Sequence, residues 1–363
     1  MKKFFECYIP ITMCNLKCEY CYVMQEKRRT EKKANFKYDV GTIQKALTVE
    51  RLGGNCYFSI CGAGETLLQP ECTDIVKKLL ENGHYVNITT NGTISPQIRE
   101  LSDLPQDLRE RIHIAFSLHY LELKKHNLLN VFFENVRIVK NAGISFVVQL
   151  NLYDGYFPCL DDIKRICQKE LGADPQVAVT RYEGNNKVDK KVSVYSKTDL
   201  KNYYAAGESF GSPLFEFTFR NFGVKRKEFC YAGCWSGVLD LSTGILKKCY
   251  CSYFEQNIFK NLNSKIIFEP IGNHCRSPYC VNSSHFIALG TIPSIDCESY
   301  AELRNREKAR WYNSEMKSEL NKKLSVENVS YTKKQIIFYN LLYWIREFQG
   351  AVFILGKRLI GKR

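Results

Sequence analysis

Short apolar runs rich in β-branched and aromatic residues alternate, in the first half of the chain, with stretches whose apolar residues recur at helical spacing. The pattern predicts six strands, at residues 4–13, 55–62, 84–92, 111–119, 144–153 and 176–182. It predicts helices near residues 40–52, 72–82, 95–103, 130–142 and 160–171. Strands that alternate with helices favour parallel pairing through right-handed crossovers. We therefore predict an α/β fold with a partial (β/α)6 barrel, and a doubly wound sheet is the alternative.

The alternation stops near residue 184, where residues 184–199 are polar and rich in lysine and predict a loop or linker. Seven cysteines then fall between residues 230 and 297, and a helical pattern resumes over about 299–324. These changes divide the chain into four predicted segments. They are a barrel at 1–184, a linker or extension at 185–229, a small cysteine-rich domain at 230–298, and C-terminal helices at 299–363.

Near the C-terminus, apolar residues recur at alternating steps of three and four, which predicts one stripe along a helix. They are Phe338, Leu341, Ile345, Phe348, Val352, Leu355 and Leu359. Basic residues accompany them at Arg346, Lys357, Arg358, Lys362 and Arg363. Arg346 and Glu347 interrupt the segment too early for a membrane span. Gly350 and Gly356 weaken a continuous helix. We expect this segment to dock on the protein's own surface, and contact with a membrane or a partner is the alternative.

Composition places the chain among globular proteins, because 45% of its 363 residues are hydrophobic and 25% are charged. Its sixteen cysteines are unusual. Disulfides belong mainly to oxidising compartments, and the sequence has no convincing signal peptide, since Glu6 interrupts the first apolar run. We therefore expect a cytoplasmic protein whose clustered cysteines hold metal.

The formal net charge of +14 suits an anionic substrate, nucleic acid or a membrane surface. Much of the basic charge lies in solvated stretches such as residues 26–33, and the sequence contains no recognisable nucleic-acid-binding module. We therefore do not favour nucleic acid as a partner.

Three cysteines follow the first predicted strand at C-x3-C-x2-C spacing, as Cys14, Cys18 and Cys21. Three thiolates can hold three irons of a [4Fe–4S] cluster and leave the fourth iron open. A zinc site completed by a fourth residue is the alternative, because structural zinc takes four ligands. A loop after a barrel strand lies at the mouth where such folds carry out their chemistry. The position therefore favours a functional cluster.

Glycines and polar residues follow the next two predicted strands. Gly62 and Gly64 precede Glu65 after the second strand, where glycine lets the backbone approach a ligand and the carboxylate can accept hydrogen bonds. The sequence Thr-Thr-Asn-Gly ends the third strand at residues 89–92. Either segment alone is typical of an ordinary turn. Their order along the chain, each at the end of a strand, indicates one shared site.

Together these motifs resemble those of radical S-adenosylmethionine (radical SAM) enzymes. The family's C-x3-C-x-aromatic-C motif is matched by Cys14, Cys18, Tyr20 and Cys21. Its glycine-rich motif for the SAM amino group is matched by Gly62, Gly64 and Glu65. The resemblance covers about residues 4–183. It implies that the open iron binds the amino and carboxylate groups of SAM, and that one-electron reduction cleaves SAM to a 5′-deoxyadenosyl radical, which abstracts a substrate hydrogen. It also implies an electron donor such as ferredoxin or flavodoxin.

The resemblance further implies SAM contacts near the ends of the fourth and fifth strands. By position, Tyr20 would stack near the adenine. Contacts to the ribose and carboxylate would come from Ser117, His119, Gln149 and Asn151. Strand alternation puts the members of each pair on one face. The alternative is that these are polar core residues satisfied by neighbours, or, for His119, an exposed loop position.

The cysteine-rich segment resembles the auxiliary-cluster domain of radical SAM enzymes, of the SPASM or the shorter Twitch type. Cys234 and Cys249 bound a C-x9-G-x4-C unit, and a hairpin turn at residues 242–244 would bring them together. The chain lacks the complete SPASM cysteine run, which favours a Twitch-like domain with one auxiliary [4Fe–4S] cluster. The expected ligands are Cys234, Cys249, Cys275 and Cys280, with Cys230 as a rival for one place. Two clusters and a zinc ribbon are the alternatives.

The remaining cysteines of the barrel segment are expected to serve packing, since free cysteine is often buried. They are Cys7, Cys56, Cys61, Cys72, Cys159 and Cys167. Cys251 and Cys297 stay without an assigned role.

We therefore expect a radical SAM enzyme that oxidises, epimerises or cross-links its substrate. Only thirteen residues precede Cys14, too few for an added peptide-binding domain, so we expect a small-molecule or glycan-related substrate. A peptide or protein substrate is the alternative, and a zinc-stabilised nucleic-acid-binding protein is the non-enzymatic one. The sequence assigns no residue as the final acid, base or radical quencher.

Overall fold

A computed structural model describes residues 1–182 and 193–360. Two ranges lie outside the described residues. They are residues 183–192, at the start of the predicted linker, and residues 361–363, which include the basic Lys362 and Arg363. The strands are β1 (Lys3–Ile9), β2 (Cys56–Gly62), β3 (Tyr85–Thr90), β4 (Ile112–Ser117), β5 (Ser145–Leu152), β6 (Gln176–Val179), β7 (Arg181–Tyr182), β8 (Ser193–Val194), β9 (Ser236–Asp240), β10 (Ile245–Lys247) and β11 (Glu255–Asn257). Nine of them form one sheet in the order β11-β10-β9-β1-β2-β3-β4-β5-β6, and β7 pairs with β8.

The described residues also contain α-helices. They are α1 (Tyr22–Gln25), α2 (Val40–Ala46), α3 (Val49–Leu52), α4 (Glu71–Glu81), α5 (Ser95–Ser102), α6 (Gln106–Arg109), α7 (Tyr120–Lys125), α8 (Leu129–Asn141), α9 (Leu160–Leu171), α10 (Leu200–Glu208), α11 (Pro213–Asn221), α12 (Ser283–Phe286), α13 (Tyr300–Arg304), α14 (Ser314–Asn321) and α15 (Lys333–Ile360). Short 3-10 turns occur at Thr66–Leu68, Asp154–Cys159, Glu307–Ala309 and Leu324–Val326.

Strands β1 to β6 pair in parallel, each with the next strand along the chain. A doubly wound sheet reverses its strand order at a switch point, and the order from β1 to β6 contains no reversal. The predicted α/β fold with a partial barrel is therefore confirmed. Side chains of both faces of β1, such as Phe4, Phe5, Cys7 and Ile9, are fully buried, as expected for parallel strands covered on both sides.

Helix α11 covers the open side of the sheet at β6 and also packs against α12 and α13. Ser212 anchors it, because its hydroxyl caps the helix at the Phe215 amide, accepts a hydrogen bond from the Val177 amide at 2.8 Å and donates one to the Gln176 side chain at 2.7 Å. This packing brings residues near α12 and α13 to the interior of the barrel.

The cysteine-rich segment shares the barrel's sheet, because β9 pairs in parallel with β1 and forms an antiparallel hairpin with β10. The turn lies where the sequence predicted it. The Asp240 carboxylate accepts hydrogen bonds from the Ser242 amide and hydroxyl at 2.8 and 2.7 Å. Gly244 has a φ of +73°, and a Cβ there would lie 2.5 Å from the Phe259 ring, so the turn requires glycine.

The helical pattern predicted over 299–324 is interrupted between α13 and α14. The chain there runs beside β5, where the Phe146 amide donates to the Trp311 carbonyl at 2.9 Å and the two rings lie 5.4 Å apart. This tertiary contact overrides the local helical pattern. Within the described ranges, no helix is both long and apolar enough to cross a membrane.

Candidate active site

The three-cysteine loop follows β1 at the mouth of the barrel. Cys18 is buried, and Cys14 and Cys21 are partly buried. Arg29 fixes the loop, because its guanidinium donates hydrogen bonds to the carbonyl oxygens of Cys14 and Leu16. The backbone that carries the thiols is therefore braced by a side chain from outside the motif.

Burial controls the protonation of these thiols. It raises the pKa of Cys14 to about 11 and raises that of Cys18 as well. Thiols must lose their protons to bind iron, so cluster binding at this loop would release protons. The donor set, three thiols on one short loop, fits a cluster that leaves one iron without a protein ligand.

The glycine-rich turn after β2 packs against the chain that leads into the cysteine loop. The Gly64 amide donates to the Ile11 carbonyl at 2.7 Å, and the Glu65 amide donates to the Met13 carbonyl at 2.9 Å. A Cβ on Gly64 would lie 2.0 Å from the Met13 carbonyl oxygen, and one on Gly62 would lie 2.6 Å from the Ile11 side chain. Glycine is required here because two backbones approach closely.

Glu65 is buried under this turn and links the ends of β2 and β3. Its carboxylate accepts hydrogen bonds from the Thr90 hydroxyl at 2.6 Å, the Asn91 amide at 2.7 Å and the Leu67 amide at 3.0 Å. Burial raises the pKa of Glu65, and these hydrogen bonds oppose the rise. A carboxylate has about four acceptor positions, so capacity remains for an amino group in the cavity.

Tyr20 packs in an aromatic cluster with Tyr153 and Tyr156, at centroid distances of 4.5 and 6.0 Å. Its hydroxyl lies 2.6 Å from Nδ1 of His119 and 3.0 Å from the Tyr156 hydroxyl. Burial lowers the pKa of His119 to about 4, so the imidazole is neutral near pH 7 and its Nδ1 atom can accept a hydrogen bond from the Tyr20 hydroxyl. His119 is therefore an interior residue, not an exposed loop histidine.

The polar residues at the ends of β4 and β5 face the same space. Ser117 is the register partner of Gln149 in the parallel ladder. The Gln149 side-chain amide donates to the Asn151 side chain at 3.1 Å, so these two residues share a face as strand alternation predicts.

All of these groups surround one cavity of about 440 Å³ in the barrel mouth. Its lining includes every residue that the resemblance assigns to the SAM site: Cys14, Cys18, Cys21, Tyr20, Gly62, Gly64, Glu65, Ser117, His119, Gln149 and Asn151. Residues distant in the chain therefore converge where the parallel strands end.

The lining of the same cavity also carries a buried acid that sequence reasoning missed. The Glu6 carboxylate accepts hydrogen bonds from the Asn282 side-chain amide at 2.8 Å and from the Cys61 thiol at 3.7 Å. Burial raises the pKa of Glu6 to about 8, although these bonds and the charge of Arg304 oppose the rise. The sequence signal for this buried acid was a glutamate within an otherwise apolar predicted strand. Cys61, which we expected to serve packing, lines the cavity as well.

Arg304 from α13 also lines this cavity and is 2% exposed. Its guanidinium stacks 3.7 Å above the Tyr300 ring, and its Nη2 atom donates to the Ser284 hydroxyl at 3.1 Å. Its Nη1 atom is buried and has no hydrogen-bond partner among the described residues. An unpaired buried guanidinium nitrogen is costly, so it marks a place where a ligand can bond.

A second group of thiols lines a smaller cavity that shares a wall with the first one. Its cysteines are Cys230, Cys249, Cys251, Cys275 and Cys280. Residues of both linings include Tyr250, Cys280 and Asn282. Burial raises the pKa of Cys230 and of Cys280 to about 12. Hydrogen bonds from Cys249 and Cys275 lower the pKa of Cys251.

Cys234, which the sequence placed among the auxiliary ligands, does not line this cavity. Its thiol lies 3.0 Å from the Tyr331 hydroxyl. A tight turn causes this, because the amides of Cys234 and Trp235 both donate to the Tyr231 carbonyl at 2.9 Å. Cys251 lies in the group instead, and its signal in the sequence was the closely spaced pair formed with Cys249.

Within residues 1–182 and 193–360, no three Cys, His, Asp or Glu side chains come close enough to hold a single metal ion.

Residues 8–168 match the model of the Radical SAM superfamily. The match to this domain model contains the cysteine loop, the glycine-rich turn and strands β2 to β5. The cofactors of such a domain are a [4Fe–4S] cluster and SAM, and the donor groups around the cavity fit both. No curated protein sequence matches the chain.

Similar solved structures include Streptococcus suis SuiB bound to S-adenosylmethionine, with 16% identity and a TM-score of 0.48. That similarity covers 71% of this chain and 64% of SuiB, just under two thirds of SuiB. Native anSMEcpe with bound AdoMet has 16% identity and a TM-score of 0.48, covering 72% of this chain and 80% of anSMEcpe.

Proposed function

We propose that the chain is a radical SAM enzyme with an auxiliary cluster, which removes a hydrogen atom from a substrate held in the barrel mouth. One observation carries this proposal. A single cavity is lined by the cysteine loop, the glycine-rich turn and the polar ends of β4 and β5. When bound, the cluster and SAM supply a reductive cleavage that yields a carbon radical able to abstract hydrogen.

The chain's own residues bind and orient these groups. Cys14, Cys18 and Cys21 would hold three irons, and SAM would bind beside Glu65 and the glycine-rich turn. The Tyr20–His119 hydrogen bond closes one wall of the cavity with aromatic surface, which excludes water from a reactive carbon centre.

The five-thiol group is the proposed site of one auxiliary [4Fe–4S] cluster, held by four of Cys230, Cys249, Cys251, Cys275 and Cys280. The wall shared with the active-site cavity supports electron transfer between this cluster and the substrate. An electron donor such as ferredoxin or flavodoxin would reduce the first cluster. A zinc site in the five-thiol group is the alternative.

Glu6 and Arg304 are the proposed substrate-binding groups of this cavity. The Nη1 atom of Arg304 has no hydrogen-bond partner among the residues that the structure describes, and it would donate to an anionic or carbonyl oxygen of the substrate. Glu6, with its pKa raised to about 8, can give or take a proton near neutral pH.

A small-molecule substrate is the first candidate. The cavity of about 440 Å³ lies in the size range of small-ligand sites, and SAM would share it, so only a small molecule or a small part of a larger substrate fits beside SAM. A peptide is the second candidate, since one peptide side chain also fits this space. SuiB has been solved with its precursor peptide SuiA, and anSMEcpe with the Cp18Cys peptide, each at 15% identity to this chain. These peptides are ligands of SuiB and anSMEcpe, not of the present chain.

Iron analysis tests the two cluster assignments. Anaerobically reconstituted protein should be brown and hold about eight irons per chain, and replacing Cys14, Cys18 and Cys21 together by alanine should leave about four. The control Cys159→Ala, outside both thiol groups, should keep about eight. Zinc in place of iron would contradict the proposal.

A further inference from the structure

Helix α15 uses one face to dock on the cysteine-rich segment. The Glu347 carboxylate accepts hydrogen bonds from the Ser252 hydroxyl at 2.6 Å and the Tyr253 amide at 2.8 Å. A Cβ on Gly350 would lie 2.6 Å from the Tyr253 carbonyl oxygen, so glycine allows the helix to approach this backbone. Tyr343 is buried on the same face and stacks on His274 at 4.9 Å. The helix therefore docks on the protein, but not through the apolar stripe that the sequence analysis expected to dock.

The docked face is not the apolar face. The opposite side carries an apolar stripe made of Ile337, Leu341, Trp344, Phe348, Val352, Leu355 and Leu359. Each of these side chains is between 53% and 71% exposed. At 100° per residue they fall within about 80° of one another, and they extend over about 33 Å of helix. A monomeric soluble protein rarely leaves such a continuous apolar surface uncovered.

The charged residues of α15 indicate which kind of surface covers the stripe. Residues 333–360 contain five basic residues and one acidic residue. The acid, Glu347, is buried, whereas Lys333 and Lys334 stand exposed at the start of the helix. Lys357 and Arg358 follow near its end in the sequence. A second copy of this chain, with a net charge of +14, would bring like charges together. Anionic lipid headgroups would instead attract both ends of the helix.

We propose that α15 lies in the surface of an anionic lipid bilayer, with the apolar stripe at the acyl boundary and the basic residues among the headgroups. The other face of the helix is docked on the cysteine-rich segment, so the whole protein would be held at the membrane with its fold unchanged. This inference does not depend on the proposed function.

Trp344 provides a built-in probe of the stripe. The chain has three tryptophans, and Trp235 and Trp311 are buried while Trp344 is 54% exposed. With the full chain, addition of vesicles of phosphatidylcholine and phosphatidylglycerol should shift Trp344 emission to the blue, and brominated lipid should quench it. Vesicles of phosphatidylcholine alone should bind much less, and added salt should weaken binding to the anionic vesicles.

The double variant Leu341→Glu/Phe348→Glu should lower affinity for the anionic vesicles by about tenfold or more. Val326→Glu/Val329→Glu makes the same charge change at two exposed apolar positions outside α15 and should lose much less. Thermal unfolding of both variants should match the wild type, because all four side chains are exposed. Absence of vesicle binding would overturn the proposal, as would equal loss in both variants. A concentration-dependent dimer that Leu341→Glu/Phe348→Glu abolishes, without vesicle binding, would assign the stripe to a second copy and also overturn it.

Discussion

Replacement of Glu6 by glutamine should remove a pH-dependent loss of stability that this buried carboxyl imposes on the fold. Burial raises the pKa of Glu6 from its ordinary value of 4.5 to about 8. The amide of Asn282 and the thiol of Cys61 are its hydrogen-bond donors, and they compensate for the lost water only in part. Glutamine keeps the shape and can still accept the bond from Asn282.

The sign and size of the effect follow from the two pKa values. The folded protein holds a proton at Glu6 that the unfolded chain releases once the pH exceeds about 4.5. The stability linked to this proton is complete below that pH and is lost as the pH rises through about 8. A difference of about 3.5 pKa units, at about 1.4 kcal/mol per unit, gives a loss of about 5 kcal/mol in the free energy of unfolding.

Denaturant unfolding of the wild type and Glu6→Gln between about pH 5 and about pH 8.5 measures this loss. The contributions of the clusters and of the other titrating groups cancel in the difference between the two free energies of unfolding. Glu302→Gln is the control that should show no slope in this range, because a hydrogen bond from the Ser299 amide lowers the pKa of Glu302 and its carboxyl is therefore ionised in both the folded and the unfolded chain above about pH 5. If plots of the free energy of unfolding against pH stay parallel for the wild type and Glu6→Gln over this range, the reasoning is refuted.

Two further predictions concern the SAM site and the second thiol group. Gly64→Ala should cost about 2 kcal/mol or more of stability and reduce SAM binding, because its Cβ would lie 2.0 Å from the Met13 carbonyl oxygen. The control Gly356→Ala, whose Cβ would meet nothing within 4 Å, should stabilise α15 by up to about 1 kcal/mol and leave SAM binding unchanged. Denaturant unfolding and SAM titration measure the two effects. Replacing Cys275 and Cys280 together by alanine should remove about four irons, and Cys234→Ala should remove none; iron loss from Cys234→Ala alone would contradict the assignment of the second thiol group.

The sequence predicted the barrel strands, and a set of residues that line one cavity, for a physical reason. Parallel strands that follow one another in the sheet bring their carboxyl ends to one edge. Motifs after β1, β2 and β3 therefore meet once the strands are recognised. The residues at 117, 119, 149 and 151 came from the resemblance, and alternation placed the members of each pair on one face.

The remaining features depend on contacts that no local pattern encodes. Cys234 faces Tyr331 because one tight turn sets its direction, and a pairing inferred from the hairpin alone cannot include that turn. Arg304 reaches the cavity because α11 and α13 cover the open side of the sheet. The apolar stripe of α15 is visible in the sequence, but its exposure depends on which face the helix uses to dock.

Release of 5′-deoxyadenosine tests the central claim most directly. Anaerobically reconstituted protein given dithionite and SAM should produce it slowly without substrate. The variant in which Cys14, Cys18 and Cys21 are replaced by alanine should produce none, while Cys159→Ala should match the wild type. If reconstituted wild-type protein that contains its iron releases no 5′-deoxyadenosine, or if the triple variant releases as much as the wild type, the assignment of this cavity to radical SAM chemistry is contradicted.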